Sequence, residues 1–316
     1  MRKQNVVTVL APAKLNLALD VVGLLPNGYH DLDMTMQAIT LYERVVLRRS
    51  QNLSLTLPGS PVAANDSNTA IKAALAFFHY TGLLAGVEIT IYKNVPVRAG
   101  MAGGSADAAG VLVGLNELYD AHLSMSELCA IGAGIGADVP FALLGGTCRV
   151  RGVGDLMKAL PPCPACWFVV AMPSVGVSTP EAFARYDTMG SPVHPDCEAQ
   201  EQAIRAEDLA AVCAAALPEL LKAAAEQEKL LEHHAAARFV HIFPVFRAMD
   251  GGERVGCVRK AVFDAQDLGQ RVWPVPRHCV ERSFGHARHV ALRQTGGQRI
   301  DRHDTAGILV VFRDFF

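Results

Sequence analysis

The glycine-rich stretch 95–109 has the residue types and spacing of a phosphate-binding loop. Gly100, Gly103 and Gly104 lack a Cβ atom, so the backbone there can approach a ligand closely. A helix is predicted to begin directly after them, and the free amide groups and dipole of a helix N-terminus attract anions. The spacing matches neither a Walker A motif nor a Rossmann fingerprint. Because a glycine-rich turn is also an ordinary way to enter a helix, both interpretations stay open on this pattern alone.

Three other segments carry motifs of defined spacing: Ala11–Leu17 (APAKLNL), Gly28–Leu32 (GYHDL) and Gly136–Phe141 (GADVPF). Together with the glycine-rich loop they resemble the GHMP kinase superfamily, and within it the branch that phosphorylates 4-diphosphocytidyl-2-C-methyl-D-erythritol in the non-mevalonate isoprenoid pathway. Three loop positions depart from that family, since leucine, glycine and serine are usual where this chain has Met101, Ala102 and Ala106. The first two changes should leave the loop able to close, and the third removes a hydroxyl.

The resemblance implies that two catalytic side chains, Lys14 and Asp138, face each other at the reacting hydroxyl. A carboxylate within hydrogen-bond reach of that hydroxyl can accept its proton during phosphoryl transfer. The ammonium would keep the carboxylate ionised and offset charge on the transferring group. We therefore expect Asp138 to be the base and Lys14 its partner. From residue type alone, Asp138 could instead cap a helix and Lys14 could be a solvated surface charge.

The resemblance also implies a substrate site and a nucleotide site. Tyr29 and His30 would stack on a cytosine ring and contact its polar edge, although a tyrosine-histidine pair after a turn is more often surface packing. The expected substrate-binding set is Asn16, Tyr29, His30, Asp138 and Thr179. The expected ATP-binding set is Asn68, Lys93, Pro96, Ala99, Gly100, Met101, Ala102, Gly103, Gly104, Ser105 and Ala106. The hydroxyl of Ser105 is a weak candidate ligand for Mg²⁺, and both Asn68 and Thr179 have an ordinary alternative as helix caps.

Periodicity predicts the elements that would hold these residues in place. Strands are expected at 6–10, 15–22, 36–47, 87–92 and 167–172. Helices are expected at 68–84, from the glycine-rich loop to about Tyr119, after a capping box at Ser124 and Glu127, from 178 to about 186, and within 209–237. The mixed order of strands and helices indicates an α+β fold. The resemblance implies a two-lobed GHMP kinase fold, with a ribosomal-protein-S5-like N-terminal lobe and an α/β C-terminal lobe.

Composition excludes several functional classes. The net charge of −2 gives no global attraction to nucleic acid or to an anionic membrane, and no apolar run approaches a membrane span. The N-terminal apolar run is too short for a signal peptide, so we expect a cytoplasmic protein that is a monomer or a weak homodimer. Cys163 and Cys166 have metal-like spacing, but a zinc site needs about four ligands and no second such pair exists.

The resemblance ends near Tyr186. We expect an ATP-binding domain at 1–160 and a C-terminal domain at 161–316 that is atypical after about 238. The family's third motif, a glycine-serine loop, is missing, and periodicity is lost after about Phe239. Either the tail has diverged or the reading frame has shifted near Ala237. The broken motif keeps open two alternatives to the kinase activity: a catalytically impaired nucleotide-binding homologue, and a GHMP kinase for another small alcohol.

Overall fold

The computed structural model describes residues 5–172, 183–184, 186–188, 194–215, 241–245 and 308–313. Their contacts divide them into two units. The first contains residues 5–163 and 194–215, and the second contains the remaining described residues. The domain boundary expected at 160 stays a prediction. Within the described ranges, no helix is long and apolar enough to cross a membrane.

A six-stranded sheet forms the framework of the first unit. Its strands are β1 (Val6–Leu24), β2 (His30–Ser50), β3 (Ser54–Thr56), β4 (Gly86–Tyr92), β5 (Thr147–Gly152) and β6 (Leu156–Ala159). The long strand β2 is central, since it pairs antiparallel with β1 along most of its length, with β4 at residues 44–50 and with β5 at residues 32–37. Strand β3 runs parallel to β4, and β6 runs antiparallel to β5.

The first strand is longer than the sequence predicts. Two separate strands were expected at 6–10 and 15–22, but β1 is continuous and its register shifts at Pro12/Ala13. A bulge accommodates the missing N–H of Pro12, so the proline does not end the strand. The predicted start of β2 at Met36 is also wrong, because the strand already begins at His30.

Four helices pack with this sheet: α1 (Thr69–Thr81), α2 (Gly103–Tyr119), α3 (Met125–Ala133) and α4 (Val139–Leu144). The helices expected after Asn68, after the glycine-rich loop and after Ser124 are confirmed. Helix α1 ends at Gly82, whose φ of 68° closes the last turn. Helix α3 begins with the predicted capping box between Ser124 and Glu127.

Helix α2 lies unusually close to the sheet. A Cβ atom on Gly110 would come within 2.8 Å of the Val45 side chain, so only glycine fits there. Leu112, Leu115 and Leu118 of α2 are fully buried in a core shared with α1 and with strands β2 and β4. A second cluster packs Phe141 of α4 against the β2–β5 end of the sheet. The two cores fix the N-terminus of α2 and the start of α4, the two positions that carry the candidate site.

The remaining elements are α5 (Cys197–Arg205) and α6 (Leu209–Ala215) in the first unit, and a three-stranded sheet in the second. In that sheet β8 (His241–Val245) and β9 (Ile308–Arg313) flank the predicted strand β7 (Trp167–Met172). The sequence predicted no clean element beyond Phe239, and this is wrong for β8 and β9. Both are short apolar runs that pair with a strand distant in the sequence, so local periodicity does not predict them.

Several expectations lie wholly or largely outside the described residues. These are Thr179, most of the helix expected at 178–186, residues 216–237 of the next helix, and the tail after 238 except β8 and β9. Cys163 and Cys166 are not joined by a disulfide.

Candidate active site

Lys14 and Asp138, the two expected catalytic residues, form an ion pair. Lys14 lies in β1 and its side chain is 9% exposed, and its Nζ is 3.7 Å from Oδ2 of Asp138, whose side chain is 35% exposed. The same Nζ donates to Oδ1 of Asn16 at 3.2 Å. A buried ammonium therefore faces a carboxylate that remains open to a ligand.

The two structural alternatives for this pair are wrong. Asp138 does occupy the N-cap position of α4, but its side chain makes no capping hydrogen bond. Lys14 is largely buried, so it is not a solvated surface charge. The carboxylate of Asp138 is therefore free for chemistry, while its catalytic role stays a prediction.

The glycine-rich loop is attached directly to β1 at this pair. The backbone N–H of Lys14 donates to the carbonyl of Met101 at 3.2 Å. The side chains of Val95, Ala99 and Met101 are buried and anchor the loop, while Gly100 between them is exposed. The loop therefore presents backbone, rather than side chains, beside the Lys14–Asp138 pair.

The loop contains three residues with left-handed backbone conformation. Arg98, Gly100 and Ala102 have φ values of 58°, 71° and 56°. Only glycine adopts this region without strain, and a residue with a Cβ costs about 1–2 kcal/mol there. The alanine at position 102 therefore strains the backbone of the loop, and the expectation that this alanine leaves the loop able to close stays a prediction.

The first turn of α2 offers unpaired backbone donors. Ala102 gives no side-chain cap, and the first backbone bond of the helix runs from the N–H of Ala106 to the carbonyl of Ala102. Within the part of the chain that the structure describes, no acceptor meets the N–H groups of Gly103, Gly104 and Ser105. These amides and the helix dipole make an anion site of the kind that holds phosphate.

Lys93 belongs to a buried ionic group that we call the loop cluster, formed by Glu43, Lys93 and Asp107. Its Nζ is 2.6 Å from Oε1 of Glu43 and 2.6 Å from Oδ2 of Asp107. Burial raises the pKa of Asp107 to about 7; Lys93 opposes this rise, and Glu43 adds to it. Two of the three N–H donors of Lys93 are thus directed at carboxylates, and its nucleotide contact stays a prediction.

Asn68 serves as the N-cap of α1. Its Oδ1 accepts from the N–H of Ala70 at 3.0 Å, and its Nδ2 donates to the carbonyl of Ala63 at 2.9 Å. The neighbouring Thr69 hydroxyl donates to the carbonyl of Gly104 at 2.7 Å and ties the starts of α1 and α2 together. A nucleotide contact by Asn68 stays a prediction, since the capping role already engages its side-chain amide.

Tyr29 and His30 lie at the tip of the β1–β2 hairpin. In the turn, the N–H of Leu25 donates to the carbonyl of Tyr29 at 2.7 Å and the N–H of Gly28 donates to the carbonyl of Leu25 at 2.9 Å, while Gly28 takes the positive φ that the turn requires. The tyrosine is 65% exposed. His30 pairs with Leu24, ten residues along β1 from Lys14, which places the pair at most ~33 Å away along the strand. The structure thus joins Lys14, Asn16, Asp138 and the loop, and places Tyr29 and His30 at the turn of the hairpin.

Sequence reasoning missed Glu43 as a site residue and used Asp107 only as part of a motif. Glu43 lies within strand β2, and the residue types around it are typical of any β-strand. Only its complete burial beside Lys93 singles it out, and no local sequence pattern reports burial of that kind.

Comparison with known proteins agrees with this fold. Residues 68–146 match the model of the GHMP kinases N terminal domain. A homoserine kinase from Cytophaga hutchinsonii shares the fold, with a TM-score of 0.53 at 17% identity over 68% of this chain and 72% of that one. The fold and the glycine-rich loop therefore define a GHMP-type kinase.

Proteins with higher sequence identity to this chain identify the family within the GHMP kinases. The chain is 45% identical over 202 residues to a 4-diphosphocytidyl-2-C-methyl-D-erythritol kinase of Carboxydothermus hydrogenoformans, covering 64% of this chain and 70% of that protein. It is 38% identical over 207 residues to the same kinase of Lachnoclostridium phytofermentans, covering 65% and 71%. A crystal structure of a 4-(cytidine 5'-diphospho)-2C-methyl-D-erythritol kinase matches with a TM-score of 0.53 at 35% identity, over 63% of this chain and 72% of that one. The chain belongs to the 4-diphosphocytidyl-2-C-methyl-D-erythritol kinase family.

Proposed function

We propose that this chain transfers the γ-phosphate of ATP to the 2-hydroxyl of 4-diphosphocytidyl-2-C-methyl-D-erythritol, a step of the non-mevalonate isoprenoid pathway. The observation that carries the proposal is the Lys14–Asp138 pair, held beside the free N-terminus of α2 through the bond from Lys14 to Met101. Family membership supplies the substrate.

Each proposed role follows from the position of the residue. Asp138 accepts the proton of the substrate hydroxyl as the new P–O bond forms. Lys14 holds that carboxylate ionised and offsets charge on the transferring phosphoryl group. The amides of Gly103, Gly104 and Ser105 bind phosphate oxygens, and the buried side chains of the loop keep those amides fixed.

Mg²⁺ fits this arrangement in the way it usually binds at phosphate sites. In the described residues no group of three or more His, Cys, Asp or Glu could hold a metal ion. Mg²⁺ needs no such cage, because substrate phosphates and one or two protein oxygens complete its shell. The hydroxyl of Ser105, in the first turn of α2, is the proposed protein ligand. When bound, the ion neutralises phosphate charge.

The remaining proposed contacts are those of the acceptor. The exposed ring of Tyr29 and the adjacent His30 would bind the cytosine, and Asn16 and Thr179 complete the proposed substrate-binding set. The cytoplasmic location and the monomeric or weakly dimeric state stay predictions.

A substrate panel tests the proposal. The purified chain would be incubated with Mg²⁺ and ATP and one acceptor at a time: 4-diphosphocytidyl-methylerythritol, homoserine or mevalonate. We expect ADP release with the cytidine compound alone, together with a product heavier by one phosphoryl group. Turnover of homoserine or mevalonate in its place would contradict the proposed substrate.

A second candidate function rests on the C-terminal third. The two relatives above match only about two thirds of this chain, and the family's glycine-serine loop is absent from the sequence. A nucleotide-binding homologue with impaired catalysis would bind ATP in calorimetry and release no ADP with any acceptor. Steady turnover would exclude it.

A further inference from the structure

The loop cluster lies at the base of the glycine-rich loop and touches both of its ends. At the start of the loop, Lys93 is paired with Glu43, and the N–H of Asn94 donates to Oε2 of the same glutamate at 2.6 Å. At the other end, Asp107 lies in the second turn of α2 and pairs with Lys93. One connected group of charges therefore spans the gap between the end of β4 and the start of α2.

Glu43 also lies close to the residue that begins α2. A Cβ atom on Gly103 would lie 3.3 Å from Oε1 of Glu43 and 3.2 Å from the Val95 side chain. The carboxylate thus lies against the first residue of the helix, where its negative charge also suits the helix dipole.

Two carboxyl groups in this cluster, 0% and 5% exposed, share one ammonium. Oδ1 of Asp107 and Oε1 of Glu43 are buried and accept no hydrogen bond from any described residue, so Oε1 meets Lys93 only as an ion pair. Burying ions without full compensation destabilises a fold, so stability alone gives little reason for this arrangement.

We propose that Glu43 and Asp107 are positioning residues for ATP: acting through Lys93 and Asn94, they hold the glycine-rich loop and the first turn of α2 in the conformation that binds phosphate. The inference rests on the proposed function, in that the loop is taken to bind ATP. It assigns to two residues outside the loop a part in setting nucleotide affinity.

The contacts of the Glu43 carboxylate suggest a substitution that tests the inference directly. Glutamine in place of Glu43 keeps the shape but removes the charge. Oε1 lies against Lys93 and Oε2 accepts from Asn94, so glutamine can place its oxygen at only one of these positions and puts its NH₂ group at the other. We expect Glu43→Gln to raise the Kd for ATP by roughly tenfold or more, since small misplacements of binding groups have effects of this size.

Asp107 allows a test by conservative replacement. Asp107→Ala removes the acceptor of Lys93 and should weaken ATP binding by roughly tenfold. Asp107→Asn keeps one oxygen for that bond and should weaken it by less than about threefold. In a Lys93→Met background, Asp107→Ala should add less than about twofold, because a residue acting through Lys93 is silent once the lysine is gone.

Glu201→Gln is the matched control. Glu201 lies in α5, its side chain is 5% exposed, and it accepts from Arg149, Lys158 and Arg205. The chemical change is the same as in Glu43→Gln, in an ionic group with no described contact to the loop. We expect a lower melting temperature and a Kd for ATP within about twofold of wild type.

The measurement is calorimetric titration of the full chain with Mg²⁺ and ATP, with no acceptor present, beside thermal unfolding of each variant. If wild type binds ATP, and Glu43→Gln and Asp107→Ala bind it equally well while melting at lower temperature, the cluster is structural and the inference fails alone. If wild type binds no ATP, both the inference and the proposed function fail. Weaker binding in these two variants but not in Glu201→Gln supports the inference.

Discussion

Two charge clusters in the first unit, one buried and one partly exposed, shift the pKa of a buried carboxyl group in opposite directions. In the loop cluster, burial raises the pKa of Asp107 to about 7 despite Lys93. In the second, which we call the Arg149 cluster, burial also acts to raise the pKa of Glu201. Hydrogen bonds from Lys158, Arg149 and Arg205 outweigh it and lower that pKa to about 2. The members of the Arg149 cluster are Asp33, Arg149, Arg151, Lys158, Glu198, Glu201 and Arg205.

The difference lies in how many partners each carboxylate has. Arg149 binds Asp33 with two hydrogen bonds, at 2.9 and 2.8 Å, and reaches α5 through Glu198 and Glu201. Every charge there has a partner, and the result is a link between strands β2 and β5 and helix α5. In the loop cluster, Asp107 has Lys93 as its one cation partner among the described residues. Strongly shifted pKa values and incompletely paired groups are concentrated at functional sites, which is why we assign the two clusters different roles.

Removing the central cation of the Arg149 cluster should give the largest change in stability. Arg149→Met leaves Asp33 with Arg151, and Glu201 with Lys158 and Arg205. Because hydrogen bonds to both carboxylates are lost while other cations remain, we expect a cost of about 1–3 kcal/mol. Denaturant unfolding would measure the loss. The Kd for ATP of the folded variant should stay within about twofold of wild type. A large loss of ATP affinity with little loss of stability would erase the distinction between the clusters.

The clusters should also differ in their response to pH. Because the folded pKa of Asp107 is raised, the folded state holds a proton that the unfolded chain releases above about pH 4. Stability therefore falls as pH rises from about 4 to 7, by up to about 1.4 kcal/mol per pH unit, and Asp107→Asn should remove this slope.

The contribution of Glu201 to stability changes with pH in the opposite direction. Its lowered folded pKa contributes stability that is present above the usual glutamate pKa and is lost as the pH falls towards 2. Urea unfolding of wild type, Asp107→Asn and Glu201→Gln between pH 3 and pH 8, roughly the span of these transitions, would separate the two. Parallel pH profiles for wild type and Asp107→Asn would contradict the assigned shift.

The smallest expected effect concerns backbone strain in the loop. Ala102→Gly keeps the positive φ but removes the steric strain that the alanine Cβ causes there. It should raise the free energy of unfolding by about 0.5–1 kcal/mol, because the relieved strain is partly offset by the greater backbone entropy that glycine loses on folding. Ala130→Gly is the matched control, since Ala130 is exposed inside α3 and should lose about 1 kcal/mol. Equal destabilisation by both changes, measured by denaturant unfolding, would contradict the strain.

Local signals predicted much of the fold. The capping box predicted helix α3, and the glycine-rich loop predicted the start of α2, because caps and turns depend on residues that are adjacent in the sequence. The continuity of β1 through Pro12 and the pairing of β8 and β9 with β7 depend on partners distant in sequence. Those features could not be read from local periodicity.

The residues of the candidate site also separate into those that the sequence could predict and those that depend on the tertiary fold. Lys14 and Asp138 were paired through family resemblance, and their proximity follows from the fold. Asn68 and Lys93 were selected by position before a helix or a loop. The structure shows their side chains already engaged, by a cap and by two carboxylates. The burial of Glu43 is a tertiary property without a sequence signature.

The most direct test of the central claim is single-turnover phosphorylation of 4-diphosphocytidyl-methylerythritol by wild type and Asp138→Asn, with the Kd for ATP measured on both. Loss of a general base slows chemistry by roughly 10²–10⁴-fold, so we expect that decrease in rate with ATP affinity unchanged. A rate within about threefold of wild type would contradict the assignment of Asp138 as the base, because a general base contributes far more than that.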